Sequence, residues 1–378
     1  MIIGCVKEVL GGEGRVAILP QDIRALTAKG HEVLIEASAG KKSGLKDQEY
    51  RAFGATTSKQ EDVWRGSDLV VKVKQPTKPE LRFLYSKQGL ILSCFLHLAS
   101  PANSLLLEAL QKSGTTAIDY GTIQPDDEST PILAEMSKIA GRIAFFDGAK
   151  LLMRHRGIMI GPESTIAILG LGSAGAATAK LVAKTNPKML YLFDKNPEKF
   201  EPLRHFYQQL SPHDLWFVRH DRENPSHEQA LASILAHTDL LIGAAHIPGK
   251  RQIELVPEWM IKNMQPGSVV MDISIDQGGC FETSRETSLR KPTFQKHGVE
   301  HYCVPNMPGM TPRESTPILT RGTFPYIQEL SQKGFENAVL ENPALAKGVN
   351  THKGWITHEG LADSIGRMKD YKPLSELL

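Results

Sequence analysis

The sequence contains no apolar run that approaches the ~20 residues needed to span a bilayer as a helix. It also has no excess of one charge, because 44 Lys and Arg residues face 42 Asp and Glu residues in 378 positions, for a net charge of +2. This balance excludes a global electrostatic attraction to nucleic acid or to an anionic membrane. We therefore expect a cytoplasmic protein whose partners are small molecules, with no nucleic acid and no membrane.

Cysteine is scarce, and no two cysteines form a C-x-x-C pair. Cys5, Cys94, Cys280 and Cys303 lie far apart, and three of them sit in apolar, strand-like stretches. A reduced thiol in such a stretch behaves as a small apolar side chain. We expect buried thiols, no disulfide and no metal site. Internal repeats and low-complexity tracts are also absent from the sequence.

The chain is rich in alternating strand-like and helical segments, and its length favours two domains. A βαβ rhythm begins with MIIGCVKE, QDIRALTAKG and HEVLIEAS and ends near residue 130. After a long helical stretch, strands recur from STIAILG to VEHYCVPN, the pattern of an open, mostly parallel sheet. The residues from about 310 onward are helical again, and the pattern alone leaves their packing open.

A glycine-rich segment between an apolar strand and an alanine-rich helix predicts a dinucleotide site. Gly170, Gly172 and Gly175 have G-x-G-x-x-G spacing, which permits a tight turn, close approach of a pyrophosphate and close helix packing. The next strand ends in Asp194, whose carboxylate can bind ribose hydroxyls and repel a 2′-phosphate. The pattern favours NAD over NADP, although Lys199 lies nearby. The alternative is a glycine-rich turn and a solvated aspartate.

Three residues outside this segment have side chains that could act together in catalysis. Arg15 follows a glycine-rich loop and can clamp a carboxylate, Lys74 ends a strand and can polarise a carbonyl, and His97 in FLHLA can transfer protons near neutral pH. Singly, they are also compatible with a surface arginine, a solvated lysine and a core histidine. Together they match hydride exchange between a 2-oxo acid and NADH.

Asp276 follows the apolar run Val269 to Ile275, which we predict to be one strand. The carboxyl ends of parallel strands are where ligands bind in open α/β sheets. Gly278 and Gly279 leave space beside the carboxylate, and Cys280 is predicted to be a packing residue. We interpret Asp276 as a second acid/base, with a turn-capping aspartate as the alternative.

The sequence resembles the alanine dehydrogenases, which share a fold with the NAD-binding subunit of proton-translocating transhydrogenase. The resemblance runs almost end to end. The segments that carry it are GCVKE, GRVAILP, GHEVLIEASAG, VKVKQP, FLHLA, EMSKIAGR, GLGSAG, IPGK, IDQGGCFETS, HYCVPNMPG and NPALAKG. It implies two doubly wound α/β domains, with a Rossmann NAD-binding domain (132–309) inserted in a discontinuous substrate domain (1–131 and 310–378).

The resemblance also implies roles for individual residues. Arg15 and Lys74 would hold the substrate, and His97 and Asp276 would form the proton-transfer pair. Leu133 and Met136 would cap a small side-chain pocket. NAD contacts are implied, beside the three glycines, at Ser137, Ser173, Ala174, Asp194, Lys199, Ala245, His246, Ile273, Ile275, Asn306 and Met307.

The resemblance further implies NAD-dependent interconversion of L-alanine with pyruvate and ammonia, in a homohexamer with a cleft between two domains. The sequence departs from the family pattern in a shorter interdomain hairpin, RHRGIMIGPES, in Gly121 where an acid is usual, and in His246 where an apolar residue is usual. A transhydrogenase-like NAD(H) subunit and a non-catalytic NAD-binding regulatory protein are the alternatives. The transhydrogenase relatives generally lack the FLHLA histidine and the Asp-Gln-Gly-Gly run.

Overall fold

The computed structural model describes residues 1–208, 215–221, 223–245 and 254–378. The predicted cofactor residue His246 and the IPGK segment lie outside these residues. The described chain divides into two compact units. The first comprises Met1–Met136 and Gly309–Leu378, and the second comprises residues 137–245 and 254–308.

The first unit contains an eight-stranded sheet in the order β15-β14-β6-β5-β4-β1-β2-β3. Its strands are β1 (Ile2–Cys5), β2 (Glu32–Glu36), β3 (Thr56–Ser58), β4 (Leu69–Lys74), β5 (Ile91–Phe95), β6 (Thr116–Asp119), β14 (Val349–His352) and β15 (Trp355–Ile356). The strands from β1 to β6 pair in parallel, whereas β14 runs antiparallel to β6. The C-terminal residues therefore complete the sheet of the N-terminal part.

The second unit contains a seven-stranded sheet in the order β12-β13-β11-β10-β7-β8-β9. Its strands are β7 (Thr165–Leu169), β8 (Met189–Asp194), β9 (Leu215–Arg219), β10 (Leu240–Gly243), β11 (Val269–Asp272), β12 (Thr293–Lys296) and β13 (Val299–Tyr302). Among the described strands of this sheet, only β12 is antiparallel to its neighbour. Strand order reverses beside β7, which has β8 on one side and β10 on the other. Such a reversal is where doubly wound folds bind ligands.

Helices cover the sheets and complete the α/β pattern. They are α1 (Pro20–Thr27), α2 (Asp47–Ala52), α3 (Gln60–Gly66), α4 (Ser104–Ser113), α5 (Pro131–Arg156), α6 (Ser173–Ala183), α7 (Glu201–Gln208), α8 (Pro225–Leu235), α9 (Glu258–Lys262), α10 (Pro312–Lys333), α11 (Phe335–Glu341), α12 (Pro343–Gly348) and α13 (Glu359–Ser364). Gly114 ends α4 in the left-handed conformation that glycine commonly adopts after a helix.

The predicted fold class is confirmed: two doubly wound, mainly parallel sheets, the second inserted in the chain of the first. All four cysteines are buried and unpaired, as predicted. The short β3 and helix α3 were missed by the pattern, as were the antiparallel edge strands. Among the described residues, no helix is both long and apolar enough to cross a membrane.

The prediction that Val269 to Ile275 forms one strand is wrong, because β11 ends at Asp272. The Asp272 carboxylate accepts hydrogen bonds from the backbone N–H groups of Ser274 (3.0 Å) and Cys280 (2.8 Å), which turn the chain. Ile275 is still buried, but in a 3₁₀ turn that continues through Asp276 to Gln277. An apolar run therefore indicates burial here without indicating an extended backbone.

Candidate active site

Two predicted site residues of the first unit are in direct contact. Lys74 ends β4, and His97 follows the adjacent strand β5, so the parallel pairing brings both to the carboxyl edge of the sheet. Lys74 Nζ lies 2.9 Å from His97 Nε2. An ammonium has no acceptor, so a protonated Lys74 donates to an unprotonated Nε2 and leaves the imidazole proton on Nδ1. The structure thus joins the predicted carbonyl polariser to the predicted acid/base.

His97 has a backbone conformation that few non-glycine residues adopt. Its φ angle is +50°, which lies in the left-handed region and costs roughly 1–2 kcal/mol. Its carbonyl oxygen accepts from Ser100 N (3.1 Å) and from Asn103 Nδ2 (3.0 Å). Its ring stacks with Phe95, at 6.1 Å between ring centroids. These contacts fix the orientation of the His97 ring at the edge of the sheet.

Arg15 is buried, with 2% of its surface exposed, and forms an ion pair that the sequence analysis did not predict. The fully buried Glu13 carboxylate accepts from Arg15 Nε (2.9 Å) and Nη2 (2.6 Å). On the other side, Nη1 lies 3.2 Å from Met136 Sδ. Arg15 is thus an oriented, paired guanidinium and not a surface arginine, and Met136 lies beside it as the predicted pocket residue.

A buried network of charges supports the end of β4. Lys72, which is fully buried, lies 3.5 Å from Glu8 and 3.1 Å from Glu80. Glu8 also accepts from the backbone N–H groups of Val73 (2.6 Å) and Lys74 (3.4 Å). Burial raises the pKa of Glu8, which Lys72 opposes. Since Glu8 in this network bonds the backbone N–H of Lys74, it fixes the position from which the Lys74 side chain extends.

In the second unit, the glycine loop has the features of a pyrophosphate cradle. Gly170 has a φ of +88°, and a Cβ there would lie 2.6 Å from Ala245 Cα. A Cβ on Gly175 would lie 1.9 Å from the carbonyl oxygen of Gly170, whereas nothing lies within 4 Å of one on Gly172. Gly172 caps α6 without a side-chain hydrogen bond. The backbone donors at the start of this helix therefore fit a dinucleotide phosphate.

Asp194 ends β8 next to this loop and is 8% exposed. Its carboxylate accepts from the backbone N–H groups of Leu171 (2.7 Å) and Asn196 (2.9 Å), and Lys199 Nζ lies 3.5 Å away. A carboxylate has about four acceptor positions, so it can also bind ribose hydroxyls. The Lys199 contact shows that a cation stands beside the predicted cofactor-selecting group.

Asp276 is exposed in the 3₁₀ turn after β11 and accepts from the backbone N–H of Asn306 (3.2 Å). The loop that carries it is held by Asp272, which also accepts from Ser284 Oγ (2.5 Å). Burial raises the pKa of Asp272 to about 6, against the opposing effect of these hydrogen bonds. Cys280 is buried in the core and burial raises its pKa well above the usual range, which agrees with its predicted packing role.

The remaining predicted cofactor residues lie at or after the carboxyl ends of the second sheet, or on its helices. Ser137 is half-buried in α5, Ser173 and the buried Ala174 begin α6, and Ala245 follows β10. Ile273 and Ile275 follow β11, and the buried Asn306 and Met307 follow β13. His246 lies outside the described residues.

Four residues of these two edges were missed. Glu13 orients Arg15, Asp119 ends β6 beside His97, and Asp272 holds the Asp276 loop. His220 follows β9, is 7% exposed, and has no hydrogen-bond partner for either ring nitrogen in the described part of the chain. Burial lowers its pKa. For Asp119, Asp272 and His220, the available signal was a charged or titratable residue at the end of an apolar strand. Among the described residues, no cluster of three His, Cys, Asp or Glu side chains suits a metal ion.

Comparisons with known proteins add an independent observation. The chain matches the model "Alanine dehydrogenase/PNT, N-terminal domain" over residues 4–140 and "Alanine dehydrogenase/PNT, C-terminal domain" over residues 144–359. Alanine dehydrogenases of Staphylococcus haemolyticus and Mycobacterium tuberculosis are each 39% identical to it. These alignments cover 97% of this chain and 96% and 97% of the relatives.

Solved structures agree with the sequence comparison. An L-alanine dehydrogenase is similar with a TM-score of 0.86 and 35% identity, covering 97% of this chain and 99% of that one. A transhydrogenase from Sinorhizobium meliloti is similar with a TM-score of 0.76 and 22% identity, covering 95% of this chain and 99% of that one. The second likeness shows a shared fold.

Proposed function

The chain belongs to the alanine dehydrogenase/PNT family, and on that premise we propose that it catalyses the NAD-dependent oxidative deamination of L-alanine to pyruvate and ammonia, and the reverse reductive amination. It is an oxidoreductase of small-molecule substrates. The observation that carries the proposal is the contact of Lys74 with His97 at a sheet edge. The transhydrogenase-like and non-catalytic alternatives are not favoured, because the 39% identical relatives are dehydrogenases and the chain retains a cation and an imidazole in contact.

In this proposal, Arg15 binds the substrate carboxylate. Glu13 keeps the buried guanidinium paired and oriented, so its charge is compensated before the substrate arrives. A carboxylate is a much stronger acceptor than a thioether sulfur, so it displaces Met136 Sδ from Nη1. Met136 then lies next to the bound carboxylate, where it limits the space for a substrate side chain.

Lys74 and His97 act on the reacting carbon–oxygen and carbon–nitrogen bonds. The Lys74 ammonium carries three N–H donors, so it can bond His97 Nε2 and the substrate oxygen at once. The ammonium stabilises the negative charge that develops on this oxygen in the transition state, and stabilisation of such charge contributes strongly to catalysis. His97 exchanges protons with the substrate, and its contact with Lys74 Nζ keeps the two groups together.

Deamination moves several protons. The amino group loses a proton, the Cα hydrogen leaves as hydride, water adds to the resulting imine, and ammonia leaves as the carbonyl forms. We assign Asp276 to this sequence as a second acid/base that works with His97. Asp276 is exposed in a short turn that ends at Gly278, and this position leaves space for a substrate to approach its carboxylate.

NAD supplies the hydride acceptor for alanine and, when reduced, the hydride donor for the imine. The glycine loop and the start of α6 would hold its pyrophosphate, and Asp194 would hold the adenosine ribose. We also propose contacts from the other predicted residues: Ser137, Ser173, Ala174, Lys199, Ala245, His246, Ile273, Ile275, Asn306 and Met307.

We further propose a cytoplasmic homohexamer, with a substrate domain of residues 1–131 and 310–378 and an NAD domain of residues 132–309. Four unpaired thiols suit a reducing compartment. Phe146 and Met153 are 65% and 55% exposed one heptad apart on α5, and Met159 beyond its end is 72% exposed. Apolar side chains grouped in this way suit a subunit contact. Light scattering of the purified chain tests the subunit number.

The function is tested by following NADH absorbance with each substrate omitted in turn. Steady oxidation that requires pyruvate and ammonium together supports the proposal. Glyoxylate and 2-oxobutyrate, supplied with ammonium, measure side-chain selectivity, where one methylene changes the rate by roughly 10- to 200-fold. NADH binding without oxidation in any mixture would instead indicate the regulatory protein.

A further inference from the structure

Asp119 is a buried carboxylate that the reaction described above does not use. It ends β6, in register with Cys94 of β5, and only 7% of its surface is exposed. β6, β5 and β4 are consecutive strands of the sheet, so their carboxyl ends bring Asp119, His97 and Lys74 to one edge. A carboxylate in such a place requires partners, because an unpaired buried charge is costly.

The partners of Asp119 are backbone groups of the histidine loop. Its carboxylate accepts from Gly121 N (2.8 Å) and from the backbone N–H groups of Leu96 and His97. His97 is the residue with left-handed φ, and its carbonyl is bonded to Ser100 and Asn103. The strained residue is therefore held on its N–H side by Asp119 and on its carbonyl side by the following loop.

Asp119 also faces the positive charge of the pair. Burial raises its pKa to about 6, while its hydrogen bonds and the charge of Lys74 act in the opposite direction. Cys94 on β5 also lies close to it, and the pKa of this thiol rises through burial and then through Asp119. On the far side of β6, strand β14 contributes His352, which bonds Thr116 at the opposite end of β6.

We propose that Asp119 is a positioning residue of the active site, which holds the left-handed backbone of His97 against Lys74 and stabilises the positive charge shared by that pair. The inference deepens the proposed function and rests on it. Gly121, which stands where the family has an acid, contributes only its N–H to this arrangement. The negative charge next to the histidine loop comes instead from Asp119, two residues before Gly121.

The test compares Asp119→Asn, which removes the charge at constant size, with Asp119→Glu, which keeps the charge, and with Thr116→Val. Thr116→Val is the control because Thr116 is similarly buried on the same strand. The substitution removes the hydrogen bond between Thr116 and His352 at the opposite end of β6. Turnover is measured against pH in the wild type and each variant. In the same proteins, the rate of carbethoxylation of His97 by diethyl pyrocarbonate is measured against pH and read by peptide mass spectrometry.

Loss of a nearby negative charge lowers the proton affinity of cationic groups, typically by a pKa unit or more. We expect Asp119→Asn to lower kcat at least tenfold, to leave the KM for NADH unchanged, and to move the His97 modification midpoint down by roughly one pH unit. Asp119→Glu should keep the midpoint near that of the wild type, and Thr116→Val should keep both midpoint and kcat. Thermal unfolding checks that each variant is folded, and Asp119→Ser replaces Asp119→Asn if the latter is not.

An unchanged midpoint in a folded Asp119→Asn protein would overturn the inference, as would an equal shift in Thr116→Val. The modification assay does not need catalysis. If the wild type fails to oxidise NADH with pyruvate and ammonium, the proposed function fails, and the His97 midpoint still decides the role of Asp119.

Discussion

Lys74 Nζ and His97 Nε2 lie 2.9 Å apart, although 23 residues separate them in the sequence. Each is an ordinary residue type at the end of a buried strand. Their contact makes a single unit in which one proton lies between two basic nitrogens. A change at either side chain should therefore alter the chemistry more than the binding of the cofactor.

Lys74→Met should lower kcat by roughly 10²-fold or more, because the developing charge on the substrate oxygen loses its stabilising cation. NADH affinity, measured by fluorescence titration, should stay near that of the wild type. Lys78→Met, which removes an exposed cation four residues away, is the matched control and should keep turnover. Preserved turnover in Lys74→Met would remove this lysine from the mechanism.

Asp276→Asn should lower turnover by roughly 10² to 10⁴, the range typical of a lost acid/base group. The fold and NADH binding should be retained, since Asp276 is exposed and asparagine can still accept from Asn306 N. Glu286→Gln is the matched control, because this carboxyl lies close enough for Asp276 to raise its pKa, after the larger effect of burial. Equal turnover in Asp276→Asn and wild type would restore the turn-capping interpretation.

Asp194→Ala should shift cofactor use from NAD toward NADP. The change removes the carboxylate that would bind the ribose and leaves Lys199 without the ion pair now 3.5 Å long. We expect NAD affinity to fall roughly tenfold or more, as for a lost charged hydrogen bond. Asp221→Ala, beyond the end of the neighbouring strand and paired with Lys195 at 3.6 Å, serves as the control. A constant ratio of kcat/KM for the two cofactors would place ribose recognition elsewhere.

Asp272 should make stability depend on pH. Its pKa is raised from 3.8 to about 6 in the folded protein, so its contribution is fully present below about pH 4 and is lost as pH rises through 6. The free energy of unfolding of the wild type, minus that of Asp272→Asn, should therefore fall by about 3 kcal/mol over this interval. Denaturant unfolding at several pH values measures the difference. A difference that does not change with pH would mean that Asp272 titrates alike in both states.

The sequence predicted the features that depend on local order. The apolar strands and the glycine loop before α6 both follow from short-range periodicity or turn chemistry. The positions of Lys74 and His97 at strand ends, and of Arg15 after a glycine-rich loop, narrowed the search for reactive groups. Short edge strands such as β14 and β15 lack enough residues to show a pattern.

The features that were missed depend on contacts between distant segments. Asp119 and Asp272 each stand at the end of an apolar run, where a carboxylate resembles an ordinary strand terminus. The N–H donors to Asp119 belong to the loop after the neighbouring strand, a placement that follows from strand order and register. The N–H donors to Asp272 belong to the loop after its own strand, and the sequence does not show how that loop turns. Glu13 is two residues from Arg15, yet its burial becomes visible only when the loop is folded.

If the chain converts pyruvate, ammonium and NADH to L-alanine, nitrogen from ammonium must appear in the alanine, and isotope incorporation measures this. Purified protein is incubated with pyruvate, NADH and ¹⁵N-labelled ammonium, and the products are separated by chiral chromatography with mass detection. We expect one ¹⁵N-labelled L-alanine for each NADH consumed. NADH consumption without labelled alanine, or hydride transfer only to a second nicotinamide nucleotide, would contradict it.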